Sequence, residues 1–411
     1  MKHLKIGNFD AVELAKKFGT PLYIYDGNKI EENYKKIYNS ISYEPKQILY
    51  AIMANNRIPI LKIFLKLGSF LQVNSVKELY IAKKAGFSED RISVTTTNIS
   101  EKDMEIYIKH KVLLNLDSIE EVERYGKIIE KYRKEGIDVI DKIGIRVFVH
   151  VKETGGYVTN KPYEPKARVG IRKEQFDKLK EIAKKYDIKI IGVHGYFASN
   201  VLDVDPILKL SKYLVDVAKE FEEIEFINIG GGFGVPTKEN QKDFDWKTLD
   251  REINNLMKDI SSYFNRKIIL KLEPGRSLVA DAGYLITQVT NIKDMGSWTQ
   301  VGVDCGFGIF ARPYIYGWKD RGYHPIIVAN KIDQKADHLY TVCANSVLQQ
   351  DYLAEDIKLP KVEVGDYLAI LKTGAYGATM MSLFPGRNRP GEILIYNNNL
   401  EVIEKTEKFD L

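Results

Sequence analysis

The stretch EFINIGGGFG, Glu225 to Gly234, decides how the rest of the chain is read. A short apolar run, Phe226 to Ile229, breaks directly into three glycines. A run of that length bounded by glycine has the pattern of a strand buried on both faces. Seven further runs share its texture: QILYAIMA, SFLQV, RISVTTT, VLLNLDS, KIGIRVFV and IIGVHGYF before it, and IILKLEPG after it. Charged segments of helical period, such as VKELYIAKKAGF and KEQFDKLKEIAKKY, separate most of them. Eight strand–helix units in succession predict an α/β fold, a closed (β/α)8 barrel over residues 28–275. An open doubly wound sheet is the competing arrangement.

Beyond residue 276 the helical period fades. Runs such as LITQVT, PIIVAN, HLYTVCAN, DYLAILK and EILIYNN, punctuated by Gly, Pro and Asn, predict an all-β domain from 276–411. Residues 1–27, with PLYIYD, are assigned to the same domain, to which they can add a strand.

With 44% hydrophobic and 28% charged residues, the composition is that of a soluble globular protein. The net charge of +5 is spread over many lysines and glutamates, with no basic block of the kind that grips nucleic acid. The two cysteines, Cys305 and Cys343, form neither a metal spacing nor a disulfide framework, which suits a reducing cytoplasm. No apolar run reaches membrane-spanning length, and MKHLKIGNFD lacks the apolar centre of a signal peptide. The expected location is cytoplasmic, and no metal site is expected.

In a barrel of this kind chemistry gathers at the C-terminal ends of the strands, and phosphate often binds beside strands seven and eight. Strand seven ends in Gly230, Gly231 and Gly232, which let a backbone approach an anion and offer it N–H groups. The plainer reading is a tight strand-to-helix turn. Strand eight ends in EPGRS, where Arg276 can add a charge-assisted contact. Glu273 stands at the same mouth. It can form a structural ion pair with an arginine, or it can face a pyridine nitrogen and keep that ring protonated as an electron sink.

Taken with YAIMAN, NSVKEL, LEPGRSLVADAG, VDCGFGIFARPYIYG and GAYGATMMSLFPGR, these residues make the chain similar, over nearly its whole length, to the fold-type III pyridoxal-phosphate decarboxylases of diaminopimelate, ornithine and arginine. The resemblance implies a barrel plus a β-domain, pyridoxal phosphate as cofactor, a small amino-acid-like ligand, and a homodimer with shared active sites. It implies that Gly230, Gly231, Gly232 and Arg276 hold the phosphate, with Ser199 and Tyr376 as further partners, and that Glu273 pairs with the pyridine nitrogen. Arg312 and Tyr316 fall where family members grip the substrate, and could instead be dimer-interface residues. Asp351 is grouped with them.

The departures are concentrated at the chemistry. The family's Tyr-Ala-Val-Lys-Ala-Asn carries the lysine that forms a Schiff base with the cofactor; here Met53 stands in that place and has no amine. Tyr196 occupies the position of a histidine that stacks on the cofactor ring, with Ala198 for a glycine and His194 two residues earlier. Val347 replaces a catalytic cysteine, Leu348 a glutamate that grips diaminopimelate, and Gln72 an aspartate. Lys46 lies at the wrong end of strand one to substitute for the lysine. Lys271 shares a face with Glu273, but an unpaired buried ammonium is costly, so a carboxylate partner is expected for it. Three functions fit: a diverged relative that keeps the cofactor cradle with altered or absent decarboxylation, an ordinary decarboxylase engineered from lysine to methionine at 53, or a non-catalytic binding partner of a true decarboxylase. The ligand of the cradle is pyridoxal phosphate or another phosphate ester.

Overall fold

Eight parallel strands close into a barrel in chain order: Lys46–Ala51, Phe70–Val73, Ile92–Thr95, Leu113–Leu116, Lys142–Arg146, Lys189–His194, Phe226–Asn228 and Ile269–Leu272. Each coincides with one of the eight runs, the first and sixth starting one residue before it, at Lys46 and Lys189. Closure excludes the open sheet: Leu270, Lys271 and Leu272 of strand eight are in parallel register with Lys46, Gln47 and Ile48 of strand one. In this computed structural model residues 2–149 and 168–409 are described.

The strands are shorter than the runs that predicted them. Strand one stops at Ala51, whose N–H donates to Pro274 O (3.1 Å). The next three residues, Ile52–Ala54, form a single 3-10 turn, so Met53 lies beyond the strand and not on it. Several strand-to-helix junctions are closed by serine caps. Ser75 Oγ accepts from Glu78 N–H (3.2 Å), Ser100 from Asp103 (3.1 Å) and Ser118 from Glu121 (3.1 Å). Such caps are worth about 1 kcal/mol each and fix where the mouth loops hand over to helix.

The chain divides into two units, 34–235 with 242–275, and 1–33 with 236–241 and 276–411. The division falls inside the helix Gly27–Ser40. In the second unit the strand Leu22–Asp26, from PLYIYD, runs antiparallel to Gly283–Asp294 on one side and parallel to Gly391–Tyr396 on the other. Alternate residues Leu22 and Ile24 face a core shared with Ile286, Ala369, Ile393 and Ile395. The helix Ala11–Phe18 packs its buried face, Ala11, Val12, Leu14 and Ala15, on that core. Asp10 caps the helix, accepting from the N–H groups of Val12 (2.9 Å) and Glu13 (3.2 Å). No helix among the described residues is long and apolar enough to cross a membrane, and no cluster of His, Cys, Asp and Glu there could hold a metal ion.

Candidate functional site

Strand residues alternate between the helix-facing side of a barrel and its lumen. Here the helix-facing set is apolar, with Leu71, Val94, Leu114, Val193, Ile227 and Leu270 all buried. The opposite set, besides Phe226, carries buried polar groups: Gln72, Ser93, Thr95, Asn115, His194, Asn228, Lys271 and Glu273. Buried polar groups need partners, and most of these find them in one another. Asn115 Nδ2 donates to Ser93 Oγ (3.1 Å) and Thr95 Oγ1 (2.8 Å), and Gln72 Nε2 donates to the carbonyls of Val73 and Thr95 (both 3.0 Å).

At the mouth, Glu273 is held at both oxygens. Oε2 lies 3.1 Å from His194 Nε2, and Oε1 accepts from Asn228 Nδ2 at 2.7 Å. Burial alone would raise the carboxyl, but His194, then Asn228 and Arg146, outweigh it and keep it below the usual carboxylate range. Glu273 is therefore ionised, and its partner is a histidine, not the arginine of the simplest sequence reading. His194 Nδ1 is buried and takes no hydrogen bond among the described residues.

The glycine loop is wedged between neighbouring strand ends. A Cβ on Gly230 would stand 2.4 Å from Gly195 O, one on Gly231 2.2 Å from Glu273 O, and one on Gly232 2.3 Å from Ala198 O. Gly230 and Gly232 also have φ of 67° and 99°, where side chains are rare. The N–H groups are not equivalent. That of Gly230 is committed to Asn228 Oδ1 (2.9 Å), whereas those of Gly231 and Gly232 take no acceptor among the described residues. Gly230 thus supplies shape, and its two neighbours supply donors for an anion. Tyr196 lies beside the loop: its Cε2 is 3.8 Å from the Cβ position of Gly232. Ser199 follows in the same loop, half-buried. Met53 is half-buried on its 3-10 turn.

Lys271 corrects an expectation. It makes no ion pair with a carboxylate among the described residues, and the donors on the two oxygens of Glu273 are His194 and Asn228. Its amine instead lies 3.8 Å from the centroid of the Phe226 ring. Burial pushes its pKa down to about 8, only partly offset by Glu273 and Glu225. Lys46 pairs with Glu44 at 2.6 Å.

Four of the remaining predicted residues, Arg276, Arg312, Tyr316 and Tyr376, form a cluster inside the β-unit. The Tyr376 ring is flanked by two guanidiniums, Arg276 at 4.9 Å and Arg312 at 5.9 Å from its centroid. Tyr376 has φ of 59°, a backbone conformation uncommon for an aromatic residue and typical of strain kept at functional positions. Arg312 is buried and lies 5.0 Å from the Tyr316 ring, which is partly exposed. Arg312 Nε–H donates to His324 Nε2 (3.4 Å), and His324 Nδ1–H donates to Leu371 O (3.0 Å). The partners fix that tautomer, and burial, then Arg312, push His324 down to about 3, so it is neutral. Asp351 is buried with both oxygens on Phe307 N–H (3.0 and 3.1 Å). Val347 is 85% exposed.

Sequence reading passed over Asn228, Arg146 and His324. Asn228 carried a visible signal, an amide on the lumen face two residues before the first glycine of the loop. His324 carried none, because eleven residues, most of them in two short helical segments, separate it from Arg312.

Residues 27–280 match a family described as pyridoxal-dependent decarboxylase, pyridoxal binding domain. The diaminopimelate decarboxylase of Methanothermobacter thermautotrophicus is 33% identical, covering 99% of this chain and 94% of the relative. That of Aquifex aeolicus is 33% identical over 97% and 92%. Among solved structures, diaminopimelate decarboxylase from M. jannaschii in complex with L-lysine superposes with a TM-score of 0.86 at 28% identity, covering 99% of this chain and 94% of that one.

Proposed function

The chain belongs to the pyridoxal-dependent decarboxylases, and from that membership we propose that it holds pyridoxal 5′-phosphate and an amino-acid-like ligand at its barrel mouth without a covalent anchor at position 53, so that decarboxylation is altered or absent. The observation that carries this is the glycine loop. Among the described residues the Gly231 and Gly232 N–H groups are uncommitted, and Gly231 packs against the backbone of Glu273, whose carboxylate is ionised and held at both oxygens. Those N–H groups fit a phosphate, and Glu273 fits a protonated ring nitrogen. When bound, the cofactor supplies an aldehyde and a ring that draws electron density from an amino acid's α-carbon.

The chain's own residues divide that work. Gly231 and Gly232 bind the phosphate and Ser199 stands in the adjoining loop. Glu273, kept ionised by His194 and Asn228, holds a proton at the ring nitrogen. Tyr196 offers a flat face beside the loop. Met53 can pack against the ligand but cannot bond to its aldehyde. Gln72 donates to two carbonyls and brings no charge. The half-exposed Tyr316 and exposed Val347 are consistent with a self-association surface, and a homodimer is part of this reading.

Absorbance titration with pyridoxal 5′-phosphate tests the proposal. The expected outcome is saturable binding that dialyses away, leaves no borohydride-stable mass on the chain, and releases little or no carbon dioxide from lysine, ornithine, arginine or diaminopimelate. Brisk release from any of them overturns it, and so does a failure to bind. Sedimentation at micromolar concentration tests the dimer.

A further inference from the structure

Asn228 is the last residue of barrel strand seven and is completely buried. Its side-chain amide is used in both directions. Nδ2 donates to Glu273 Oε1 at 2.7 Å, and Oδ1 accepts the Gly230 N–H at 2.9 Å. The partners fix which atom is which, since a carboxylate takes only a donor and an N–H only an acceptor. The backbone reinforces the arrangement: Asn228 O accepts from Gly195 N–H (3.1 Å), and Gly230 O accepts from Glu273 N–H (2.8 Å). One side chain therefore stands between the carboxylate and the glycine turn.

We propose that Asn228 is the positioning residue of this site, holding Glu273 toward the ring nitrogen of pyridoxal 5′-phosphate while it fixes Gly230 so that the Gly231 and Gly232 N–H groups converge on the phosphate. This rests on the reading that the barrel mouth takes that ligand. Few side chains of this size can do both. Leucine would leave a buried acceptor and a buried donor without partners, each a substantial penalty. Aspartate would turn a second carboxylate toward Glu273 and repel it. Once protonated, however, an aspartic acid regains one donor and one acceptor, and so reproduces the amide.

That chemistry makes the role separable from simple packing. The charged groups that face Glu273 are His194 from strand six, Arg146 from strand five and Lys271 on its own strand; Asp117, after strand four, acts on Arg146. His194 and Arg146 keep Glu273 ionised. In Asn228→Asp the introduced carboxyl shares that field with an existing anion, so as pH falls one proton enters the pair and restores the missing donor.

The test measures binding of pyridoxal 5′-phosphate, phosphate-free pyridoxal and inorganic phosphate to the full chain at pH 8 and pH 6, with circular dichroism confirming the fold of each variant. Asn228→Asp is expected to bind pyridoxal 5′-phosphate at least about tenfold more weakly than the unaltered chain at pH 8, with the gap narrowing severalfold at pH 6. Asn228→Leu is expected to be weak at both pH values. Asn228→Ser, whose hydroxyl can donate and accept, is expected to lose less than Asn228→Ala, and these two decide the matter if the aspartate variant does not fold. A deficit that is the same at both pH values, or Asn228→Asp equal to the unaltered chain at pH 8, overturns the positioning role alone. If the unaltered chain binds no pyridoxal 5′-phosphate, the functional reading fails and the positioning role fails with it.

Discussion

His194 Nε2 meets Glu273 Oε2 at 3.1 Å, with both side chains buried in the barrel. With Asn228 on the other oxygen, this contact fixes the carboxylate at the mouth. The lumen contains a well-satisfied anion and, two residues earlier in the chain, an amine over an aromatic ring, with no carboxylate ion pair among the described residues.

Replacing Lys271 by methionine should stabilise the fold. An unfolded lysine titrates near 10.4, and in the folded chain Lys271 titrates near 8. Below pH 8 both states are charged and the folded one bears the burial penalty in full. Between about 8 and 10.4 the unfolded state holds more protons, so stability rises with pH through that window. Lys271→Met should therefore be more stable by about 1–3 kcal/mol at pH 7, with the advantage shrinking by pH 10. Urea unfolding at the two pH values measures this, and a less stable variant at pH 7 would contradict it.

His324 should govern part of the acid sensitivity of the β-unit. It is buried and neutral with a pKa near 3, against about 6.5 when unfolded. As pH falls from 6.5 toward 3 the unfolded state takes up a proton that the folded state refuses, so stability is lost across that window. At pH 5 the loss from this one group is about 2 kcal/mol. His324→Gln should flatten the fall in stability between pH 7 and pH 5, whatever its stability at pH 7. An unchanged slope in thermal melts would count against it.

A methyl group at Gly231 should be poorly tolerated. It would stand 2.2 Å from Glu273 O, a backbone atom that cannot move without shifting strand eight. Gly231→Ala should lower stability by about 1–3 kcal/mol, the usual range for overpacking. Phosphate affinity should fall with it, since the displaced N–H is one of the two free donors. Calorimetric titration with inorganic phosphate reads the second effect.

Returning an amine to the 3-10 turn should restore a covalent anchor but little catalysis. Met53→Lys, incubated with pyridoxal 5′-phosphate and borohydride, should gain a stable adduct at position 53 by mass spectrometry. Turnover should remain low, because Tyr196 and Val347 also depart from the family pattern, and the Met53→Lys, Val347→Cys double variant measures their coupling. Brisk turnover by Met53→Lys alone would point instead to an engineered lysine replacement.

The barrel was legible because its strands are bounded and repeated: most of the apolar runs end at a glycine, an asparagine or a serine. The lumen was less so. Alternation places His194, Asn228, Lys271 and Glu273 on one face, but it does not tell which of three neighbours a carboxylate will choose. Lys271 was assigned a carboxylate because an unpaired buried ammonium is costly, yet its amine lies over the Phe226 ring. Met53 was placed with a strand because Ile52 and Ala54 continue its apolar pattern, and the turn that follows Ala51 depends on a hydrogen bond to Pro274, more than two hundred residues away.

The strand Leu22–Asp26 has a consequence for biosynthesis. It leaves the ribosome early, yet both of its sheet neighbours, Gly283–Asp294 and Gly391–Tyr396, are translated long after it. At about 5–20 residues per second the wait from Asp26 to Gly283 is roughly 13–50 s, and the wait for the second neighbour is longer. Through that interval the nascent segment LYIYD, apolar and rich in β-formers, has two unpaired edges and no sheet to join. The barrel sequence emerges in the meantime with all eight of its strands consecutive. Vectorial synthesis therefore favours a barrel that assembles while the β-unit's first strand is still unpartnered, and it makes that strand the point at which a chaperone or a misplaced edge would first compete.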